Sequence, residues 1–345
     1  MYKKQLKKIN EDIDRTQKAI IGLGCSFVQG QGAFNEELVQ KYGTYFGELG
    51  DPLQLNEISE QEKHHLLKAY PSLGIENDKI DFTFMEYDNA FTNVLAEKYF
   101  NKEYAAINLG QRGCGNRATI SELYLNPEIN WNKLKEIIVI YCPSGLERFD
   151  FINDQFMDHK HWVCMWPHAK EGKPRGDLWN GYKEALYSEK FEVLEQITYA
   201  QQLLSWCKLH NAKLIITPAF DDRYSKEHFK DALSTHINRD LNGKLLTTEK
   251  DSLIKSIIKE TFNVDQQMID LLNLFPWENM FYPDDMPTFV DMTLRQEFKH
   301  TDPLKYHFWS FIGKGTPNNW LTPCAHPSAK AHDLFAKLLH EHLTK

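Results

Sequence analysis

Ser26 and His326 are the residues whose types and settings suggest covalent chemistry. The serine lies in Gly22-Leu23-Gly24-Cys25-Ser26-Phe27-Val28-Gln29-Gly30-Gln31-Gly32, directly after the apolar run Ala19-Ile20-Ile21. That pattern reads as a short buried strand ending in a tight turn. The histidine lies in His326-Pro327-Ser328, at the mouth of a final helix. A serine hydroxyl is a weak nucleophile and needs a base beside it. Each residue also has an ordinary reading, the serine as a turn or cap residue and the histidine as a loop residue. The pair matters only if the intervening chain brings the two together.

Nucleotide chemistry at the first turn fails on its own residues. A dinucleotide fingerprint needs Gly-x-Gly-x-x-Gly. Gly22 and Gly24 fit, but Phe27 holds the third position, and its ring blocks close helix packing. A phosphate loop needs Gly-Lys-Ser/Thr, and Gly30 is followed by Gln31. Gly313-Lys314-Gly315-Thr316 has the wrong order.

Strands and helices alternate around these residues. Strands are expected at Ala19 to Leu23, Tyr104 to Leu109, Glu136 to Tyr141 and Lys213 to Thr217. The unbroken apolar run Ile137-Ile138-Val139-Ile140 suits a parallel strand covered on both faces. Helices are expected from Phe91, from about Arg117 to Leu125, through Val193, Ile197, Ala200, Leu204 and Cys207, and after Ser328 as N-cap. This order predicts an α/β fold: a doubly wound, flavodoxin-like parallel sheet with helices on both faces. The site of such a sheet lies beyond the carboxyl ends of its strands. Ser26, Gly113, Ser144 and Asp221 each follow one strand and should converge there.

Residues 1–345 read as a single domain with insertions at about 34–88, 145–189 and 222–312. The last two are rich in aromatics: Trp162, Trp166, Trp179, Trp277, Phe281, Tyr282, Phe308 and Trp309. These are expected to form local core in segments folded over the sheet, rather than a wall for sugar or lipid.

The chain has 345 residues, 42% hydrophobic, enough for a full core. It holds no apolar run long enough for a membrane span. Its lysine-rich start lacks the apolar centre of an export signal, so a cytoplasmic location is expected. The net charge of -8, with acids and bases interspersed, argues against a nucleic-acid partner. Six cysteines without paired spacing suggest reduced thiols. Cys25, Cys114, Cys142 and Cys324 all lie beside the expected site loops. Small buried residues account for them more simply than a soft metal does, so no metal and no cofactor are expected.

Three blocks resemble the SGNH, or GDSL-like, hydrolases. Gly24-Cys25-Ser26 with Gly30 matches the first block, Cys25 standing where aspartate is usual. Asn108-Leu109-Gly110-Gln111-Arg112-Gly113, continuing into Cys114-Gly115-Asn116, matches the second. His326-Pro327-Ser328 with His332 matches the last. The block variant is similar to that of uncharacterised bacterial and phage-encoded members; a phage protein of this kind would work in the virion or the host cytoplasm. The resemblance implies a serine esterase with Ser26 as nucleophile and His326 as base. Its oxyanion donors would be the N–H groups of Ser26 and Gly113. Its substrate would be a small or carbohydrate-linked acyl ester.

Two departures from the family stand out. Pro323 occupies the position of the aspartate that usually orients the base. A backbone carbonyl from Thr322 to Cys324, or a remote acid, Asp221 or Asp222, would take that role. The third block's asparagine is absent from Cys142-Pro143-Ser144-Gly145. Asn116 reads either as a helix N-cap or as a substitute oxyanion donor. Arg148 reads as a surface or insertion-anchoring residue, or as a substrate contact alongside Ser144. These departures keep two alternatives open: an SGNH-fold protein that binds without turnover, and an acyltransferase using the same pair.

Overall fold

The computed structural model describes residues 3–30, 33, 59–69, 74–76, 79–81, 87–111, 113–152, 162–165, 180–181, 188–234, 264–298, 320–321 and 326–345. Its described elements, in chain order, begin with α1 (Lys3–Thr16), β1 (Lys18–Gly24) and α2 (Ser26–Gln29). Then come α3 (Glu60–Ala69), the hairpin β2 (Gly74–Glu76) and β3 (Lys79–Asp81), α4 (Phe91–Val94), β4 (Ala105–Asn108) and α5 (Asn116–Leu125). After β5 (Glu136–Cys142) lies a second hairpin, β6 (Phe149–Ile152) and β7 (Trp162–Met165). The chain continues with α6 (Glu189–Leu209), β8 (Ala212–Ile216), α7 (Lys226–Ser234), α8 (Val264–Leu274), α9 (Phe289–Phe298) and α10 (Ala329–Leu343).

Four strands form one all-parallel sheet in the order β4-β1-β5-β8. Ile21 lies between Ile107 of β4 and Val139 of β5, and Val139 in turn pairs with Leu214 of β8. Strand side chains alternate between faces, so each strand feeds two cores. Ala19, Ile21, Leu23, Ile137, Val139 and Tyr141 join Ile9 and Ile13 of α1, Ile120 of α5 and Val193 of α6 on one face. Ile20, Ile138, Ile140 and Cys142 join Phe91 of α4, Phe289 of α9 and Phe335 of α10 on the other. The unbroken apolar strands are therefore explained by burial on both sides.

Several elements depart from the sequence reading. The lysine-rich start is an amphipathic helix: Ile9 and Ile13, one turn apart, are buried under the sheet. The helix starting at Phe91 runs on through a π-type turn over Leu95–Tyr99, closed by the Phe100 N–H on the Leu95 carbonyl at 2.9 Å. The expected insertion at 222–312 contributes to both cores within its described part. Phe229, Phe275 and Trp277 pack together on one face, with Trp277 5.3 Å from Phe229 and 4.5 Å from Phe275. Phe289, Val290, Met292 and Leu294 of α9 pack on the other. Tyr282 is exposed, and Phe281 lies 6.3 Å from Phe335. Trp166, Trp179, Phe308 and Trp309 lie outside the described residues, and Trp162 is described only as part of β7. Among the described residues no helix is long and apolar enough to cross a membrane.

Candidate active site

The site is built on the turn after β1. Cys25 is extended at φ -86°, and Ser26 opens the single turn of α2. Gly30 ends that turn at φ 89°, a left-handed conformation that glycine adopts without cost. The turn is pinned from the neighbouring strand. Asn108, at the end of β4, donates its amide to the Val28 carbonyl at 2.9 Å and accepts the Gly110 N–H at 3.0 Å. Gly110 packs so closely on α2 that a β-carbon there would collide with the backbone nitrogen of Gln29.

His326 comes from the opposite end of the chain. The Ser328 side chain caps α10 through the Ala331 N–H at 3.4 Å, as its position predicts. The Ser328 N–H reaches the Trp320 carbonyl at 2.8 Å, and Pro327 bridges to Leu321. The fold places Ser26 Oγ 2.9 Å from His326 Nε2. Ser26 is 5% and His326 7% exposed, so the contact is shielded from bulk water. The imidazole stacks on Phe27, the residue after the serine, with centroids 4.7 Å apart and planes 24° apart.

A second histidine lies behind the first. His332 of α10 is fully buried, and its Nδ1 accepts the Phe91 N–H at 3.1 Å. This tethers α10 to α4. Burial, reinforced by the nearby His326, pushes its pKa down to about 3, so the ring is neutral. Its proton must then sit on Nε2, which has no hydrogen-bond partner among the described residues.

The remaining candidates act as clamps between strand exits. Asn116 is fully buried; its Oδ1 accepts the Ser144 N–H at 2.7 Å and the Ser144 hydroxyl at 3.1 Å. Its amide donates to Gln196 Oε1 at 2.9 Å and to the Tyr224 hydroxyl at 2.8 Å. Those donors are spent inside the protein, away from an oxyanion role. Ser144 is likewise turned inward. Asn116 is also not the helix cap. Gly115 holds that position, and the buried carboxylate of Asp150, from β6, takes the Gly115 N–H at 2.8 Å and the Ala118 N–H at 3.0 Å. A helix start without a capping side chain of its own borrowed an acid from 35 residues away, which no local spacing reveals.

Asp221 is buried and saturated. Its Oδ1 accepts the Arg223 N–H at 3.1 Å and Nε at 2.9 Å. Its Oδ2 accepts the Leu146 N–H at 2.8 Å and Arg223 Nη2 at 2.8 Å. A carboxylate offers about four lone-pair sites, and all are filled, which leaves none for His326. Arg223 also binds Glu147 at 2.9 Å, so the group ties the β5 exit to the β8 exit. Asp222 is exposed. Thr322 to Cys324, the other expected support for His326, lies outside the described residues.

Gly113 has φ 68°, the left-handed region, in a loop that returns over the serine turn. The Gln111 N–H bonds the Gly24 carbonyl at 3.0 Å. Arg148 donates to the Cys114 carbonyl at 2.9 Å and lies over the Phe220 ring at 5.0 Å. It is thus anchored to the loop that carries Gly113. Cys25, Cys114 and Cys142 are buried free thiols. Burial holds the Cys114 and Cys142 thiols well above their usual range, so neither is a thiolate at neutral pH. Among the described residues no three His, Cys, Asp or Glu side chains gather to hold a metal ion.

Sequence reasoning found the Ser26–His326 pair and the Asn108–Gly113 loop. It missed Asp150, Phe27 and Arg223, whose roles depend on contacts between distant segments. Compared with known proteins, the chain matches no family model, no curated protein and no solved structure.

Proposed function

We propose that this chain is a serine esterase of the SGNH type, acting on a small or carbohydrate-linked acyl ester. The observation that carries the reading is the buried 2.9 Å contact between Ser26 Oγ and His326 Nε2, made across 300 residues of chain. Its place supports the reading as well. The strand order β4-β1-β5-β8 is that of the first four strands of a doubly wound, flavodoxin-like sheet, whose ligands bind beyond the strand carboxyl ends. Ser26 follows β1 at that edge.

In the proposed reaction the Ser26 hydroxyl gives its proton to His326 Nε2 as the oxygen attacks the ester carbonyl. His326 returns the proton to the departing alcohol, leaving an acyl-enzyme that water cleaves. The developing oxyanion would be met by the Ser26 N–H, which opens α2 and so has no acceptor within the helix, and by the Gly113 N–H. Loss of one such donor costs about 2.7–4 kcal/mol of barrier.

Hydrolysis of p-nitrophenyl acetate by Ser26→Ala, His326→Ala and the double variant tests the reading. Each single change should abolish turnover while the circular dichroism spectrum is retained. Because the pair acts as one unit, the double variant should be scarcely worse than either single. Full activity in either single variant sinks the reading. The alternative of binding without turnover draws on the saturation of Asp221. It predicts no turnover by the unsubstituted protein. An acyltransferase using the same pair would instead transfer the acyl group to an added alcohol in preference to water.

A further inference from the structure

We infer that Arg148 and Asp150 form a two-point clamp on the Cys114–Gly115 peptide, and that this clamp positions the Gly113 N–H, the second proposed oxyanion donor. The inference rests on the serine-esterase reading and adds two positioning residues to that site.

Both contacts fall on one peptide group. Arg148 Nη1 donates to the Cys114 carbonyl at 2.9 Å, and the Gly115 N–H donates to Asp150 Oδ1 at 2.8 Å. A peptide unit is planar, so holding its oxygen and its N–H together fixes the tilt of the plane. Hydrogen bonds to a guanidinium or a carboxylate are roughly twice as strong as neutral ones. Gly115 admits the close approach: a β-carbon there would lie 2.6 Å from Asp150 Oδ2. Asp150 is 2% exposed, so its grip is sheltered from water.

The grip comes from a separate element. Arg148 lies directly before β6 and Asp150 within it, and β6 pairs antiparallel with β7, Asp150 opposite Cys164. This hairpin belongs to the expected insertion at about 145–189. It reaches back over the loop between β4 and α5.

The same loop is anchored on the serine turn. The Gln111 N–H bonds the Gly24 carbonyl at 3.0 Å, and Cys114 Sγ lies 3.6 Å from that oxygen. Gly24 is two residues before Ser26. Gly113, at φ 68°, lies between Gln111 and the clamped peptide. With both sides held, the direction of its N–H is set relative to Ser26. A donor fixed in advance costs no reorganisation as the oxyanion forms. Misplacement by about 1 Å can cost roughly 10²-fold in rate.

Helix capping accounts for only half of this arrangement. The first turn of α5 needs acceptors for its N–H groups, and Asp150 supplies them to Gly115 and Ala118. Arg148 instead donates to a carbonyl, which does nothing for the helix start. Its bond serves the peptide plane next to Gly113.

The test uses Asp150→Asn and Arg148→Met, with Arg148→Lys as the conservative comparison. Asparagine keeps the shape but offers oxygen to only one of the two N–H groups. Methionine keeps an apolar stem and loses the donor. NMR of the substrate-free protein reads the Gly113 amide, and p-nitrophenyl acetate hydrolysis reads kcat and KM. In both variants the Gly113 amide signal should move, and kcat should fall by about 10²-fold while KM changes little. Arg148→Lys should recover part of the lost kcat. A loss of stability in Arg148→Met with kcat unchanged overturns the inference, as does an unmoved Gly113 signal. Arg148→Met decides the matter alone if Asp150→Asn does not fold. A Gly113 signal that moves in a protein hydrolysing no ester upholds the clamp and removes only the esterase reading.

Discussion

Asn116 accepts both the backbone N–H and the hydroxyl of Ser144 on a single side-chain oxygen, at 2.7 and 3.1 Å. That one residue joins the start of α5 to the exit of β5. Through Gln196 and Tyr224 it also joins α6 and the β8 exit. The loops around Ser26 are thus held by a closed polar network in which every partner is buried.

Asn116→Ala should therefore destabilise strongly. It strands the Ser144 N–H and removes a donor from both Gln196 and Tyr224. Each buried polar group left without a partner costs about 1–3 kcal/mol. Urea unfolding should show a loss of at least one such step. A midpoint within error of the unsubstituted chain would show that the network is not closed as described.

Asp221→Asn separates a clamp from a catalytic acid. The clamp account predicts lower stability, from the weakened Arg223 and Leu146 contacts, with the kcat of the folded protein changed less than about tenfold. Removal of a triad acid instead costs roughly 10⁴ in kcat. That loss, with stability unchanged, would make Asp221 the third member of a triad.

Gly110→Ala should impair turnover through the backbone of α2. A methyl group there collides with the Gln29 backbone nitrogen and pushes the turn that carries Ser26. Overpacking of this kind costs about 1–3 kcal/mol, and kcat should fall more than KM rises. Gly181→Ala is the control, because a methyl group there meets nothing within 4 Å among the described residues. Equal effects from the two substitutions would argue against the close approach at Gly110.

Two buried groups give opposite pH dependences. The His332 pKa is about 3 in the fold against 6.5 in the unfolded chain, mainly from burial. The unfolded chain therefore binds the extra proton between those values, and this contribution to stability is lost as the pH falls below 6.5. Asp291 is raised from 3.8 to about 6, again mainly by burial, with Thr288 donating to its Oδ2 at 2.7 Å. There the fold binds the extra proton, and stability is lost as the pH rises from 3.8 to 6. Relative to the unsubstituted chain, His332→Asn should gain stability as the pH falls from 6.5. Asp291→Asn should gain it as the pH rises from about 4 to about 6. The steepest slope in each case is about 1.4 kcal/mol per pH unit. Thermal melts at stepped pH check both signs, and parallel curves for all three proteins would contradict them.

What was legible in the sequence was local. The apolar runs at Ala19, Glu136 and Lys213 announced their strands, because parallel strands buried on both faces leave no polar positions. Ser328 announced the last helix because its own side chain makes the cap. Helix α1 was obscured because its many lysines mask the short stripe of Leu6, Ile9 and Ile13. The Asp150 cap and the Arg223–Asp221–Leu146 clamp were also missed. Each joins segments with no spacing relation, and only the folded chain brings them together. The Ser26 and His326 assignments came from residue types at strand and helix ends; their 2.9 Å separation is a property of the fold.

Labelling with a fluorophosphonate probe, with the modified residue located by mass spectrometry, tests the central claim most directly. The probe reacts with a serine whose hydroxyl is activated by a neighbouring base. The account predicts a single adduct on Ser26, absent from Ser26→Ala and strongly slowed in His326→Ala. An unlabelled native protein, or an adduct that survives Ser26→Ala, would contradict it.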